Sequence, residues 1–207
     1  ICGAAILASS IFVSGCSSNE PLTAAQKARQ VTVLRKQAEE QLALCSASAA
    51  DPEGVDFEAL TKYVELHGET TKIAPGTCPL CFANYAAALS RLGLAYNTMV
   101  RAADQDYQKA EESEKPELAE RRARYMKQMM DAFQNSNRQF NNYFMSCRSH
   151  GQPVDPERYR WALRNSEFLK DYNRALFYLD LYEANVTLSE EAIKNAERLR
   201  ASYKREI

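Results

Sequence analysis

CFANYAAALSRLGLAYNTMVRAADQDYQKAEESEKPELAERRARYMKQMMDAFQNSNRQFNNYFMSC, Cys81–Cys147, is the stretch whose reading decides the fold. Leu89, Leu92, Tyr96, Met99, Ala103, Tyr107 and Ala110 recur at steps of three and four, one apolar stripe of a long helix. Pro116 disfavours helix at the residue before it and suits the first turn of a new one, so Lys115-Pro116 predicts a turn. The return arm places Leu118, Met126, Met129, Met130, Phe133, Phe140, Tyr143, Phe144 and Cys147 on its own buried side. The pattern predicts an antiparallel helical hairpin with arms about 50 Å long at ~1.5 Å per residue. Its charged tip, Glu111 to Arg124, should stand in water.

Both flanks read as helix. Upstream, Thr23-Ala24-Ala25-Gln26 has the form of a capping box. Ala28, Val31, Leu34, Ala38, Leu42 and Cys45 follow as one stripe, and Asp51-Pro52-Glu53-Gly54 stops it. Asp56 then caps a shorter helix with Phe57, Leu60, Tyr63 and Val64 inside, closed by His67-Gly68. Downstream, Gly151 to Pro153 ends the hairpin and Asp155-Pro156-Glu157 opens the next helix with an N-cap and a proline at N1. Ser189-Glu190-Glu191 opens the last helix, with Leu188 and Ile193 spaced as a hydrophobic staple and Ala192, Ala196, Leu199 and Tyr203 as its buried stripe. With only 7 Gly and 7 Pro in 207 residues, the expected class is all-α, a set of antiparallel helical hairpins. The 26 basic and 27 acidic residues nearly cancel, which gives no electrostatic case for nucleic acid.

Residues 1–13 are apolar with small and hydroxyl residues, and Val13-Ser14-Gly15-Cys16 follows before a polar run, Ser17 to Pro21. This resembles a signal peptide ending in the lipobox of bacterial lipoproteins. The resemblance implies cleavage before Cys16 and a covalent lipid on its thiol, with no other cofactor. Residues 1–15 would be the signal peptide, truncated at its start, 16–22 a lipidated tether and 23–207 a single helical domain. The address implied is the cell envelope: a membrane contact through the lipid, the outer membrane favoured because Ser17 stands where Asp would signal inner-membrane retention, and the domain facing the periplasm. A second resemblance is to tetratricopeptide repeats. Leu92-Gly93 with Tyr96 matches a first repeat helix, and Tyr172-Asn173-Arg174-Ala175-Leu176 with Leu179 and Tyr182 matches a second. It implies a short solenoid of stacked hairpins that binds protein segments, with an ordinary helical bundle as the alternative.

With Cys2 and Cys16 set aside, Cys45, Cys78, Cys81 and Cys147 remain, an even number in an oxidising compartment. Cys81 lies 34 residues before the predicted turn and Cys147 lies 32 after it. Antiparallel arms put those two at similar height, so the expected bridges are Cys81–Cys147 and Cys45–Cys78. Cys78 and Cys81 also form a Cys-x-x-Cys at a helix start, which leaves a thiol-redox pair or a four-thiol metal site open as alternatives. Haem attachment needs a His where Phe82 stands.

His67 and His150 each precede a helix-ending Gly, where a cation favours the dipole. Glu117–Arg121, Glu120–Arg124 and Glu197–Arg200 have the spacing of solvated intrahelical pairs. No grouping of Ser, His and acid side chains suggests catalysis. Asn137, Phe140, Asn141 and Tyr143, amides set among aromatics, together with Tyr159 and Trp161, are the candidate partner surface, with core packing as their alternative role. The expected function is a non-catalytic envelope lipoprotein that serves as a protein-binding scaffold or assembly factor. The competing one is a thiol-redox or metal-binding protein acting through Cys78 and Cys81.

Overall fold

A computed structural model of the chain describes residues 21–48, 55–76 and 78–207. Seven helices follow one another among the described residues: α1 (Ala24–Ser48), α2 (Phe57–Ile73), α3 (Pro79–Lys109), α4 (Lys115–Ser149), α5 (Glu157–Phe168), α6 (Tyr172–Asn185) and α7 (Glu190–Glu206). The protein is all-α, as its periodicity predicts. The lipobox and the Asp51–Gly54 stop lie outside the described residues.

The predicted caps form. Thr23 N–H donates to Gln26 Oε1 at 2.8 Å and Gln26 N–H to Thr23 Oγ1 at 3.3 Å, the two halves of a capping box. Asp56 accepts from Ala59 N–H at 2.9 Å, and Ser189 from Ala192 N–H at 3.3 Å. Asp155 accepts from Glu157 N–H at 3.0 Å, but the N-cap of α5 is Pro156, expected at N1, so the helix starts one residue later than predicted. At the end of α4, Gln152 N–H reaches Cys147 O and Gly151 N–H reaches Arg148 O, with Gly151 at φ +61°. That is a Schellman stop, and glycine takes its left-handed position without strain.

The same stop separates α5 from α6 without any glycine. Asp171 N–H bonds Ser166 O, Lys170 N–H bonds Glu167 O, and Lys170 itself stands at φ +55°. Asp171 then caps α6 by accepting from Arg174 N–H at 3.1 Å. A Cβ in that conformation costs about 1 kcal/mol. Lys170→Gly is therefore expected to raise the unfolding free energy by about 1 kcal/mol in denaturant titration; a decrease would contradict the assignment.

The hairpin turns over Ala110–Glu114 rather than at Lys115-Pro116, which begin α4. α2 does not stop at His67-Gly68. It runs on to Ile73, because Gly68 serves a contact and not a break: a Cβ there would lie 3.3 Å from the Tyr85 ring of α3. α3 buries two stripes, not one. Ala88, Leu89 and Ala95 join Ala38 and Cys45 of α1 and Ala59, Leu60 and Tyr63 of α2 in one apolar cluster. Ala86, Ser90 and Gly93 face α4 instead, and Gly93 lets the Phe133 ring come so close that a Cβ would meet it at 2.6 Å. A second apolar cluster joins Phe140, Tyr159, Ala162, Ala175, Tyr178 and Tyr203 across α4 to α7. Tyr107 and Met130, expected inside, are each 38% exposed.

Two of the expected intrahelical ion pairs give way to pairs between helices. Arg121 pairs with Asp106 across the hairpin at 2.6 Å, and Arg122 with Asp104. Arg200 of α7 pairs with Asp180 at 2.6 Å and with Glu183, both on α6. All are partly exposed, so each contributes little.

Candidate functional site

The cysteines pair differently from the expectation. Cys78 is bridged to Cys81, with Cα atoms 5.3 Å apart, so neither Cys81–Cys147 nor Cys45–Cys78 is formed. Cys147 does lie at nearly the expected height, packed beside Ala83 and Phe82, two residues or fewer from Cys81. Each residue turns a helix by about 100°, however, and Cys81 consequently faces α1 while Cys147 faces the hairpin interior. Cys147 is 1% exposed. Cys45 lies in the α1–α3 cluster with its Sγ 3.8 Å from the Asp56 carbonyl, and burial pushes its thiol up.

The bridge occupies the start of α3, Cys78 as N-cap and Pro79 in the first turn. Cys81 is fully buried and Cys78 is half-buried. Arg35 of α1 reaches both sulfurs, its Nη2 3.3 Å from Cys78 Sγ and 3.5 Å from Cys81 Sγ. Val31, Ala74 and Ile73 close the apolar side of this corner. A groove of about 550 Å³ opens along α1 onto it, lined by Lys27, Val31, Thr32, Arg35, Ala74 and Cys78. Nothing local in the sequence marks Arg35, which lies 43 residues from Cys78. Among the described residues no three His, Cys, Asp or Glu side chains converge as metal ligands, so the four-thiol set is not assembled.

His67 is not the dipole-facing cation that its place before Gly68 suggested. It lies inside α2, 5% exposed, edge-on to Tyr63 with ring centroids 4.8 Å apart. Burial, with the Arg35 and Arg91 charges adding to it, lowers its pKa to about 4. The unfolded value is ~6.5, so the neutral form is favoured by folding. Stability from this group is complete above pH 6.5 and is lost as pH falls toward 4. Denaturation curves are expected to lose roughly 2 kcal/mol between pH 7 and pH 5 through His67. In His67→Asn that increment should vanish; an unchanged slope would assign the loss elsewhere. His150 does sit at a helix end, its Nδ1 2.8 Å from Ser146 O.

Most of the predicted partner surface is interior. Asn137 and Phe140 are 0% exposed, Tyr143 is 2% and Tyr159 is 7%. Phe140 and Tyr159 belong to the α4–α7 cluster, and Tyr143 O–H accepts from Asp155 N–H at 3.0 Å. Asn141 is exposed but accepts from Tyr178 O–H at 2.8 Å. Asn137 belongs to a buried polar layer where α3, α4 and α5 meet. Asn165 Nδ2 donates toward Ser90 Oγ and Ser136 Oγ at 2.9 Å and Asn137 Oδ1 at 3.2 Å, while its Oδ1 accepts from Ser90 at 3.1 Å. Ser136 donates to Ala86 O at 2.7 Å, and Asn137 donates to Ser166 Oγ at 3.1 Å. Each polar group has a partner, the condition under which such a layer specifies one packing.

Trp161 alone of the aromatics proposed for a surface keeps a face outward. It is half-buried and lines a groove of about 400 Å³ with Glu157, Arg160, Arg164, Glu167 and Leu199, between α5 and α7. No helix among the described residues is long and apolar enough to cross a membrane. No known protein-family model matches this chain, and neither a curated protein nor a solved structure does.

Proposed function

We propose that the chain is a non-catalytic scaffold of a bacterial cell envelope, held to the membrane by a lipid on Cys16 and binding a protein partner through its helical domain. One observation carries the binding half of this reading: among the described residues the broad helix-on-helix packing runs between neighbours in sequence, and the contacts that skip a helix, α1 with α3, α3 with α5 and α5 with α7, are smaller. Helical hairpins stacked in chain order are the organisation of solenoids, which present faces between successive helices to protein segments. The small residues of the repeat resemblance fit this role, Gly93 against Phe133 and fully buried Ala175 in the α4–α7 cluster. The anchoring half stands on Val13-Ser14-Gly15-Cys16.

The partner contact belongs in the α5–α7 groove, where Trp161 offers an aromatic anchor amid Arg160, Arg164, Glu157 and Glu167. A photoreactive residue at Arg164 in cells should crosslink one envelope protein, and Trp161→Ala should abolish that crosslink without changing helicity. Cys16→Ala should release the protein from the membrane fraction. A membrane-free wild type would remove the anchor, and crosslinking indifferent to Trp161 would remove the groove.

A further inference from the structure

We propose that Cys78–Cys81 is an exchangeable disulfide whose substrates are thiols carrying negative charge, admitted along the groove between α1 and the start of α3. It does not rest on the scaffold reading. The two sulfurs are unequal: Cys78 is half-buried and lines the groove, while Cys81 is fully buried. An incoming thiolate therefore meets Cys78. Its attack forms a bond to Cys78 Sγ and breaks the Cys78–Cys81 bond, and Cys81 leaves as a thiolate. A second substrate thiolate then attacks the substrate sulfur of the mixed disulfide and expels Cys78 as a thiolate. The substrate dithiol, or two monothiols, is oxidised by two electrons to a disulfide; Cys78 and Cys81 are reduced by the same two electrons and take up the two substrate protons through solvent. Run backward, the reduced pair reduces a substrate disulfide.

Arg35 is placed for both halves. Its guanidinium lies 3.3 Å from Cys78 Sγ and 3.5 Å from Cys81 Sγ, so it faces whichever sulfur bears the negative charge. Among the described residues it makes no ion pair that would spend this charge. A neutral disulfide accepts only weakly from the guanidinium, whereas a thiolate on either sulfur gains a charge-assisted bond from it. The amide end of α3 adds partial positive charge at the same place, which favours a thiolate there. The field of this corner is felt beyond the sulfurs, since Arg35 and Arg91 both oppose a proton on His67. Lys27 and Arg35 line the groove with Val31, Ala74 and Thr32, and among the described residues no acidic side chain lines it. That wall attracts an anionic thiol and disfavours a cationic one.

The test uses the full chain, oxidised, with four small thiols compared per unit of thiolate: glutathione, mercaptoethanesulfonate, mercaptoethanol and cysteamine. Rates should fall in the order anionic, neutral, cationic, with at least about ten-fold between mercaptoethanesulfonate and cysteamine, and the spread should shrink with salt. Arg35→Met should slow reaction about ten-fold and erase the order, and Arg35→Lys should restore much of it. In Cys81→Ser, oxidised glutathione should form a mixed disulfide at Cys78, mapped by peptide mass; in Cys78→Ser, Cys81 should react at least about ten-fold more slowly. Equal rates for the four thiols, or a bridge that resists millimolar dithiol while the helices stay folded, would overturn the proposal. So would faster modification of Cys81 than of Cys78. If Arg35→Met fails to fold, the charge order and its salt dependence in the native chain still decide.

Discussion

Asn165→Ala is expected to lower the unfolding free energy by about 3 kcal/mol. The substitution removes the amide that bridges α3, α4 and α5, and it leaves Asn137 Oδ1, 0% exposed at the residue level, without its donor. A stranded buried acceptor costs about 1–3 kcal/mol, and the vacated volume costs about as much again. In a chain of this size that corresponds to a fall in Tm of about 10 °C. Asn135→Ala, an exposed amide on the outer side of α4, should change stability by no more than about 0.5 kcal/mol. The two variants together read the layer, since they remove the same chemistry from opposite faces. A loss below about 1 kcal/mol for Asn165→Ala would mean that the layer is not tightly satisfied.

Gly93→Val is expected to cost about 3 kcal/mol, by the opposite mechanism. Even the first added carbon would meet three atoms of the Phe133 ring at 2.6–2.9 Å. The ring has no room to retreat, being 0% exposed and stacked on Phe168 with centroids 4.7 Å apart and planes 6° from parallel. Overpacking of this kind costs ~1–3 kcal/mol, and a β-branched side chain stands at the upper end because its χ1 is fixed by the helix. Helix propensity moves the other way and recovers a fraction of a kcal/mol over Gly. Phe133→Ala in the same chain should make the two losses clearly less than additive, because deletion of the ring makes room for the valine. Strict additivity in denaturant titration would show that the two positions do not meet.

What was legible in the sequence were the features written in local spacing. Leu89 and Ala103 of the expected α3 stripe, the Pro116 start of α4, and the Thr23, Asp56 and Ser189 caps depend on neighbours within a few residues, and each stands as predicted. The errors arose where a residue answers to a distant partner. Gly68 reads as a helix end until the Tyr85 ring is beside it, and Asn137 reads as surface until Asn165 is. Asn137, Phe140, Tyr143 and Tyr159 carry the composition of a binding face, and the same composition serves an interior in which the Asn137 amide is paired with Asn165 and Ser166 and the Tyr143 hydroxyl with Asp155 N–H. The cysteine pairing failed on azimuth: counting residues along two helices gives height but not the direction in which a side chain points. Arg35 gave no signal at all, since one arginine on a charged helix looks like every other until the fold sets it against two sulfurs. The α5–α6 stop was hidden for a related reason, Lys170 holding a conformation that sequence reading reserves for Gly or Asn.

The end-to-end order of helix packing has a consequence for how the molecule opens. α7 rests on α6 through Arg200 and the Tyr203–Tyr172 stack, and among the described residues its further contact is with the side of α5, where the Tyr203 hydroxyl donates to Glu167. Amide protons of α7 should therefore exchange with solvent through a partial opening that leaves the α3–α4 hairpin protected. Protection should climb from the last helix inward to the middle of the chain, a gradient that a bundle with every helix against a shared centre would not give.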